Sequence, residues 1–83
     1  MAELQARLAE RCRMEHEAIA AAHAANEREL LIDRAHKLAG IAGMLGAPEI
    51  GEAALDLEET LLAGRDADHA IRKLLALLDR AAG

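Results

Sequence analysis

The chain contains no valine, phenylalanine, tyrosine or tryptophan, and this absence restricts its fold more than any other feature. Aromatic and β-branched side chains are the ones that pack best in strands. Alanine and leucine dominate instead, and 53% of the 83 residues are apolar, which is too many for a disordered segment. We therefore predict an all-α fold, and the length favours one helical-bundle domain over residues 1–83.

Helical periodicity and turn signals divide the chain into four segments. The first is predicted from residue 2 to about residue 22, and the second ends near Leu45. Asn26 is predicted to cap the start of the second helix, and either Asp66 or Asp68 that of the fourth. Pro48 suits the first turn of the third helix, and Gly46 and Gly64 are predicted to end the second and third helices. Because short connections make sequence neighbours antiparallel, we predict an up-down four-helix bundle.

Charge and composition exclude several classes of function. The net charge of −5 does not suit a protein that binds nucleic acid. No apolar run is long enough to span a membrane, and the N-terminus lacks a signal peptide, so we expect a cytoplasmic protein. We also expect a monomer, since a bundle buries its own apolar stripes. The start at Met1 and the end after a fourth helix suggest a complete small protein.

The first helix carries the one cysteine of the chain. Cys12 lies at helical spacing among apolar residues, and we predict that it is a core residue. Cys12 and His16 have the i, i+4 spacing of metal ligands, but a zinc site needs three or four. No second pair is evident, so we predict no metal site and no cofactor.

The second helix has a histidine on the face opposite its apolar arc. On a helical wheel of about 100° per residue, His36 lies outside the arc, and Gly40 and Gly43 lie within about 40° of it. Each glycine costs a helix about 1 kcal/mol relative to alanine. This loss of helix stability is expected if another molecule must closely approach the imidazole of His36. Imidazole is a good nucleophile near neutral pH.

The segment AHKLAGIAGMLGA resembles the motif of histidine-containing phosphotransfer (HPt) domains, roughly H-x-L-K-G-x-x-x-x-x-G. His36, Leu38, Gly40 and Gly46 match it, and Gly43 matches a common small position. The segment LDLEETL, residues 55–61, resembles the family's third helix. The resemblance is densest over residues 34–64.

The resemblance implies a phosphocarrier, not an enzyme, acting in a two-component phosphorelay. It implies that His36 accepts a phosphoryl group from an aspartate of a response-regulator receiver domain or of a hybrid histidine kinase. The Mg²⁺ and other catalytic groups would belong to the receiver, and Gly40 and Gly43 would make room for the phosphate. By the same resemblance, Glu58 would accept a hydrogen bond from the ring.

The sequence departs from the family at Ala39, where a lysine is usual. Lys37 is expected to take over the positive charge, since its flexible side chain could reach a phosphate.

Ile32, Ala39 and Met44 are predicted to contact the receiver, because Ile32 and Met44 lie outside the core arc. Two alternatives remain open: a helical interaction or dimerisation module, and a degenerate HPt relative that binds receivers without carrying phosphate.

Overall fold

The computed structural model describes residues 2–83, and their side chains from residue 6 onward. Over this range the chain forms α1 (Ala2–Ala24), α2 (Arg28–Ala42), α3 (Pro48–Leu62) and α4 (Asp68–Ala82). Each helix packs against the next, and α4 returns against α1, which closes the bundle. The predicted antiparallel four-helix bundle is confirmed.

The core is made of leucine, isoleucine and alanine from all four helices. Its largest fully buried side chains are Ile19 of α1, Leu57 of α3, and Leu74 and Leu78 of α4. Helix α2 adds a buried stripe with the helical spacing expected of its apolar arc. That stripe consists of Leu31, Ala35, Leu38 and Ala42. Cys12 is 2% exposed, so its predicted place in the core is confirmed.

Helices α1, α2 and α3 end in the same way. A residue with positive φ follows each helix: Asn26, Gly46 and Gly64 have φ values of 57°, 74° and 71°. The next backbone N–H then donates to the carbonyl five residues back, over 2.9 to 3.1 Å. This is the Schellman arrangement, and it satisfies carbonyls that the helix end would leave unpaired.

Three predictions about helix ends are wrong. Asn26 does not cap α2, because its left-handed backbone ends α1 instead, and the N-cap position is Glu27. Helix α2 ends at Ala42, not near Leu45, because residues 43–46 form the turn that leads to α3. The N-cap of α4 is Ala67, so neither Asp66 nor Asp68 is the cap; Asp66 lies one residue earlier, and its Oδ1 accepts a hydrogen bond from the N–H of Asp68 at 3.0 Å.

Helix α1 meets α2 at a charged cluster, which we call the α1–α2 junction. Glu15 of α1 is 5% exposed, and its Oε2 lies 3.0 Å from Nε of Arg11 and 3.8 Å from Nη1 of Arg34. Arg34 is at helical spacing from Leu31 and Leu38 of the buried stripe, and its contact with Glu15 explains why a charged residue lies beside that stripe. Within the described residues, Oε1 of Glu15 is buried without a hydrogen-bond partner.

Within the described residues, none of the four helices combines the length and the apolar character needed to cross a lipid bilayer.

Candidate functional site

His36 projects from the outer face of α2 next to α3. Its side chain is 72% exposed, and Nδ1 lies 2.9 Å from Oε2 of Glu58. Glu58 itself is only 14% exposed, so its carboxylate is held against the bundle and not spread into solvent. The contact joins two helices and two residues that are 22 positions apart, and it is the contact that the resemblance implied.

This contact determines which ring nitrogen is available for chemistry. An ionised carboxylate can only accept a hydrogen bond, so in the neutral ring Nδ1 carries the proton and donates it to Glu58. Nε2 then keeps its lone pair, and the ring stands in solvent. A neutral imidazole in this tautomer is a nucleophile at Nε2 near neutral pH.

Helices α2 and α3 approach each other closely beside this contact, along a line of small residues that we call the α2–α3 seam. A Cβ added to Gly51 would lie 3.1 Å from Cβ of Ala42 and 3.6 Å from the carbonyl oxygen of Ala39. Gly51 precedes Glu58 by seven residues, two helical turns, so both residues lie on the face of α3 that meets α2. Gly51 was not among the site residues predicted from the sequence.

Gly40 and Gly43 face away from the seam. Both are exposed, and a Cβ added to either residue would meet nothing within 4 Å. Packing inside this chain therefore gives no reason for glycine at these positions. Gly43 has ordinary helical dihedral angles of −61° and −39°, so backbone strain gives no reason either.

Lys37 lies one position after His36 and is paired along its own helix. Its Nζ is 3.1 Å from Oδ2 of Asp33, and both side chains are more than half exposed. An exposed pair of this spacing contributes only a few tenths of a kcal/mol. The ammonium can therefore leave Asp33 at small cost if a stronger anion comes within reach.

The residues predicted to contact a partner are exposed to different extents. Met44 is 87% exposed in the turn after α2, whereas Ile32 and Ala39 are half-buried and pack against the core. The structure adds two exposed leucines that the sequence analysis missed, Leu55 at 48% and Leu62 at 65%. They lie three residues before and four residues after Glu58, on its side of α3. A helical wheel of α3 could have found them, since both lie about 150° from the core residue Leu57.

Cys12 and His16 do not belong to this site. Burial raises the pKa of the Cys12 thiol, and the nearby Glu15 carboxylate raises it further, which makes the thiol a poor nucleophile and metal ligand. Across the described residues, no group of three or more histidine, cysteine or acidic side chains is arranged to hold a metal ion.

Comparison with known proteins agrees with this geometry. Residues 3–82 match the Hpt domain family. The chain is 42% identical to part of the sensor histidine kinase GacS of Pseudomonas protegens, with 75% of this chain and 8% of that kinase in the match. The chain thus spans less than a tenth of the length of this relative. No solved structure matches significantly. The chain belongs to the Hpt domain family, whose members are phosphotransfer modules of two-component phosphorelays.

Proposed function

We propose that this chain carries a phosphoryl group on Nε2 of His36 between receiver domains of a phosphorelay. One observation carries the assignment of the atom: Glu58 occupies Nδ1 at 2.9 Å, and the ring is otherwise 72% exposed. An incoming aspartyl phosphate can therefore reach Nε2, while the other nitrogen stays bonded to the bundle. The match to the sensor kinase supports a place in such a relay.

The transfer step is a displacement at phosphorus. The lone pair of Nε2 attacks the phosphoryl group of the receiver's aspartyl phosphate, and the bond from phosphorus to the aspartate oxygen breaks. The aspartate leaves as a carboxylate, and a nitrogen–phosphorus bond has formed. The proton on Nδ1 stays in place, so the ring becomes a cation, which the adjacent carboxylate of Glu58 stabilises. The reverse sequence delivers the group to a second receiver.

Other residues of α2 assist this step. Gly40 and Gly43 leave the surface beside His36 without side chains, so the phosphoryl group and the receiver can approach the ring. Lys37 supplies a cation that can turn from Asp33 to the phosphoryl oxygens, which carry more negative charge than one carboxylate. The chain acts as a carrier, because the Mg²⁺ and the remaining catalytic groups belong to the receiver.

The test is transfer of labelled phosphate from phosphorylated receiver domains in the presence of Mg²⁺. Wild type should acquire a label that is labile in acid and stable in base, as a phosphoramidate is, and His36→Gln should acquire none. His69→Gln is the matched control, since it removes another exposed histidine, on α4. The proposal fails if His36→Gln is labelled, or if folded wild type accepts no label from a broad panel of receivers.

The receiver should dock on a patch formed by Ile32, Ala39, Met44, Leu55 and Leu62. These apolar residues lie on α2, on α3 and in the turn between them, around the His36–Glu58 contact. Met44, Leu55 and Leu62 are its exposed members, whereas Ile32 and Ala39 are half-buried at its base. Exposed apolar side chains near a reactive group are typical of an interaction site. We assign the receiver to it because the phosphoryl donor must contact this surface during transfer.

Leu62→Asp tests the docking patch. The substitution should weaken binding of a receiver domain about tenfold, because an apolar anchor is lost from the interface and a charge is buried there. Titration calorimetry of wild type and variant measures this change. Met14→Asp is the matched control, since Met14 is 58% exposed on α1, whose described residues do not pack against α3. Equal affinities for Leu62→Asp and wild type would remove Leu62 from the patch.

A further inference from the structure

Gly51 is two helical turns from Glu58 and on a different helix from His36, yet it lies where α3 packs closely against α2. Its missing side chain leaves room for the methyl group of Ala42, which would lie only 3.1 Å from a Cβ at position 51. Ala42 is fully buried and cannot turn away, since a methyl group has no alternative rotamer. We propose that Gly51 is a positioning residue that keeps α3 near enough to α2 for Glu58 to hold Nδ1 of His36.

The register of the two helices connects the two contacts. Helices α2 and α3 are antiparallel, so Ala42 lies opposite Gly51, and His36 lies opposite Glu58 further along the same interface. Six residues separate the contacts on α2 and seven separate them on α3. This is a length of about 10 Å. A displacement of α3 at Gly51 therefore reaches Glu58 through less than two turns of rigid helix.

Glu58 has little freedom to compensate for such a displacement. Its side chain is 14% exposed, whereas the imidazole of His36 is 72% exposed. The half-buried carboxylate is thus held by α3, and the hydrogen bond to the ring depends on how closely α3 approaches α2. With 2.9 Å between Nδ1 and Oε2, a shift of about 1 Å would take the pair beyond hydrogen-bonding distance.

Reciprocal substitutions at positions 42 and 51 test this role, because a methyl group can be removed from α2 and added to α3. Gly51→Ala adds the crowding methyl, and Ala42→Gly removes its counterpart, so the double variant restores the volume of the seam. Gly51→Leu is the stronger change in the same direction. The readout is the tautomer of His36 in the unphosphorylated protein, measured from the ¹⁵N chemical shifts of the ring.

In wild type the neutral ring should carry its proton mainly on Nδ1. Gly51→Leu should lower the ratio of the Nδ1–H to the Nε2–H form about tenfold, as expected for the loss of a hydrogen bond to a charged group. Gly51→Ala should lower it less, and adding Ala42→Gly should restore it. Leu74→Ala is the stability control: it opens a cavity on α4 and should leave the ratio unchanged.

A role of Gly51 in stability alone predicts a different result. The variants would then change the unfolding midpoint while the tautomer ratio stayed at its wild-type value, and this would overturn the inference. If the leucine variant does not fold, Gly51→Val takes its place, because its branched side chain requires a larger displacement of α2 than the methyl group of Gly51→Ala. The inference rests on the proposed function, which gives the tautomer its importance. Because no phosphoryl donor is used, failure of transfer and failure of positioning would be seen separately.

Discussion

The α2–α3 seam and the α1–α2 junction hold the same helix in opposite ways. At the seam, α3 approaches α2 through Gly51 and Ala42, and the neighbouring polar contact between His36 and Glu58 is 2.9 Å long. At the junction, a buried carboxylate lies 3.8 Å from its partner on α2, and one of its oxygens has no hydrogen bond within the described residues. The first is close packing, and the second is a looser electrostatic contact.

The two contacts differ in how narrowly they fix the distance between the helices that they join. Small side chains have few conformations, so a contact between them fixes the distance between two helices. A long arginine side chain has many conformations, so the junction can hold α1 over a range of distances. His36, the proposed phosphoacceptor, lies on the helix face near the closely packed seam. The looser contact joins α2 to α1, none of whose described residues belongs to the candidate site.

The largest effect is expected at the junction. Glu15→Met should raise the free energy of unfolding by about 2 kcal/mol, because the variant no longer buries a carboxylate oxygen without a partner. Arg11 and Arg34 are 46% and 41% exposed, so both can turn to water when Glu15 is removed. Urea unfolding followed by circular dichroism measures the change. Glu17→Met, at an exposed position of the same helix, is the matched control.

Glu15→Met also tests whether the junction and the seam act independently of each other. If the junction only attaches α1, Glu15→Met should leave the tautomer of His36 and the rate of phosphoryl transfer unchanged. A loss of stability, or a changed tautomer, would mean that the ion cluster positions α2 and that the seam does not act alone.

The helices and their core were predictable because they depend on local spacing. The apolar arc of α2 matches the observed burial of Leu31, Ala35 and Leu38, and Gly46 and Gly64 have the positive φ expected of helix stops. The prediction that Asn26 caps α2 was wrong because asparagine is common at both ends of helices. Its side chain can cap the start of a helix, and its backbone tolerates the left-handed conformation that ends one. Spacing does not distinguish these uses.

The site was only partly predictable, because its contacts cross between helices. His36 and its glycines are close together in sequence, so a wheel and a motif identified them. Glu58 was reached through family resemblance alone. Gly51 looks like any glycine inside a helix until the register of α2 and α3 is known. Glu15 could not be recognised as buried, because a glutamate on an amphipathic helix is usually exposed.

A glycine on the other face of α2 gives the smaller and more discriminating effect. Gly40→Ala should stabilise the protein by about 1 kcal/mol, because alanine favours the helix and its Cβ would meet nothing within 4 Å. The His36 tautomer should not change, since the seam is untouched. Transfer from a phosphorylated receiver should nevertheless slow about tenfold, because a side chain now lies where the partner must approach. Gly40→Leu should slow it further at similar stability.

Together with the Gly51 variants, the Gly40 variants distinguish two proposed roles of glycine. Gly51 would allow close packing of α3 on α2, and Gly40 would leave space for the receiver. Crowding at Gly51 should alter the tautomer, whereas crowding at Gly40 should alter the transfer rate while the tautomer stays as in wild type. Urea unfolding, ring ¹⁵N shifts and transfer kinetics on the same proteins measure all three quantities. If Gly40→Ala transfers at the wild-type rate, the free space beside His36 is not used by the receiver. The stability lost to glycine at that position would then serve no purpose in phosphoryl transfer.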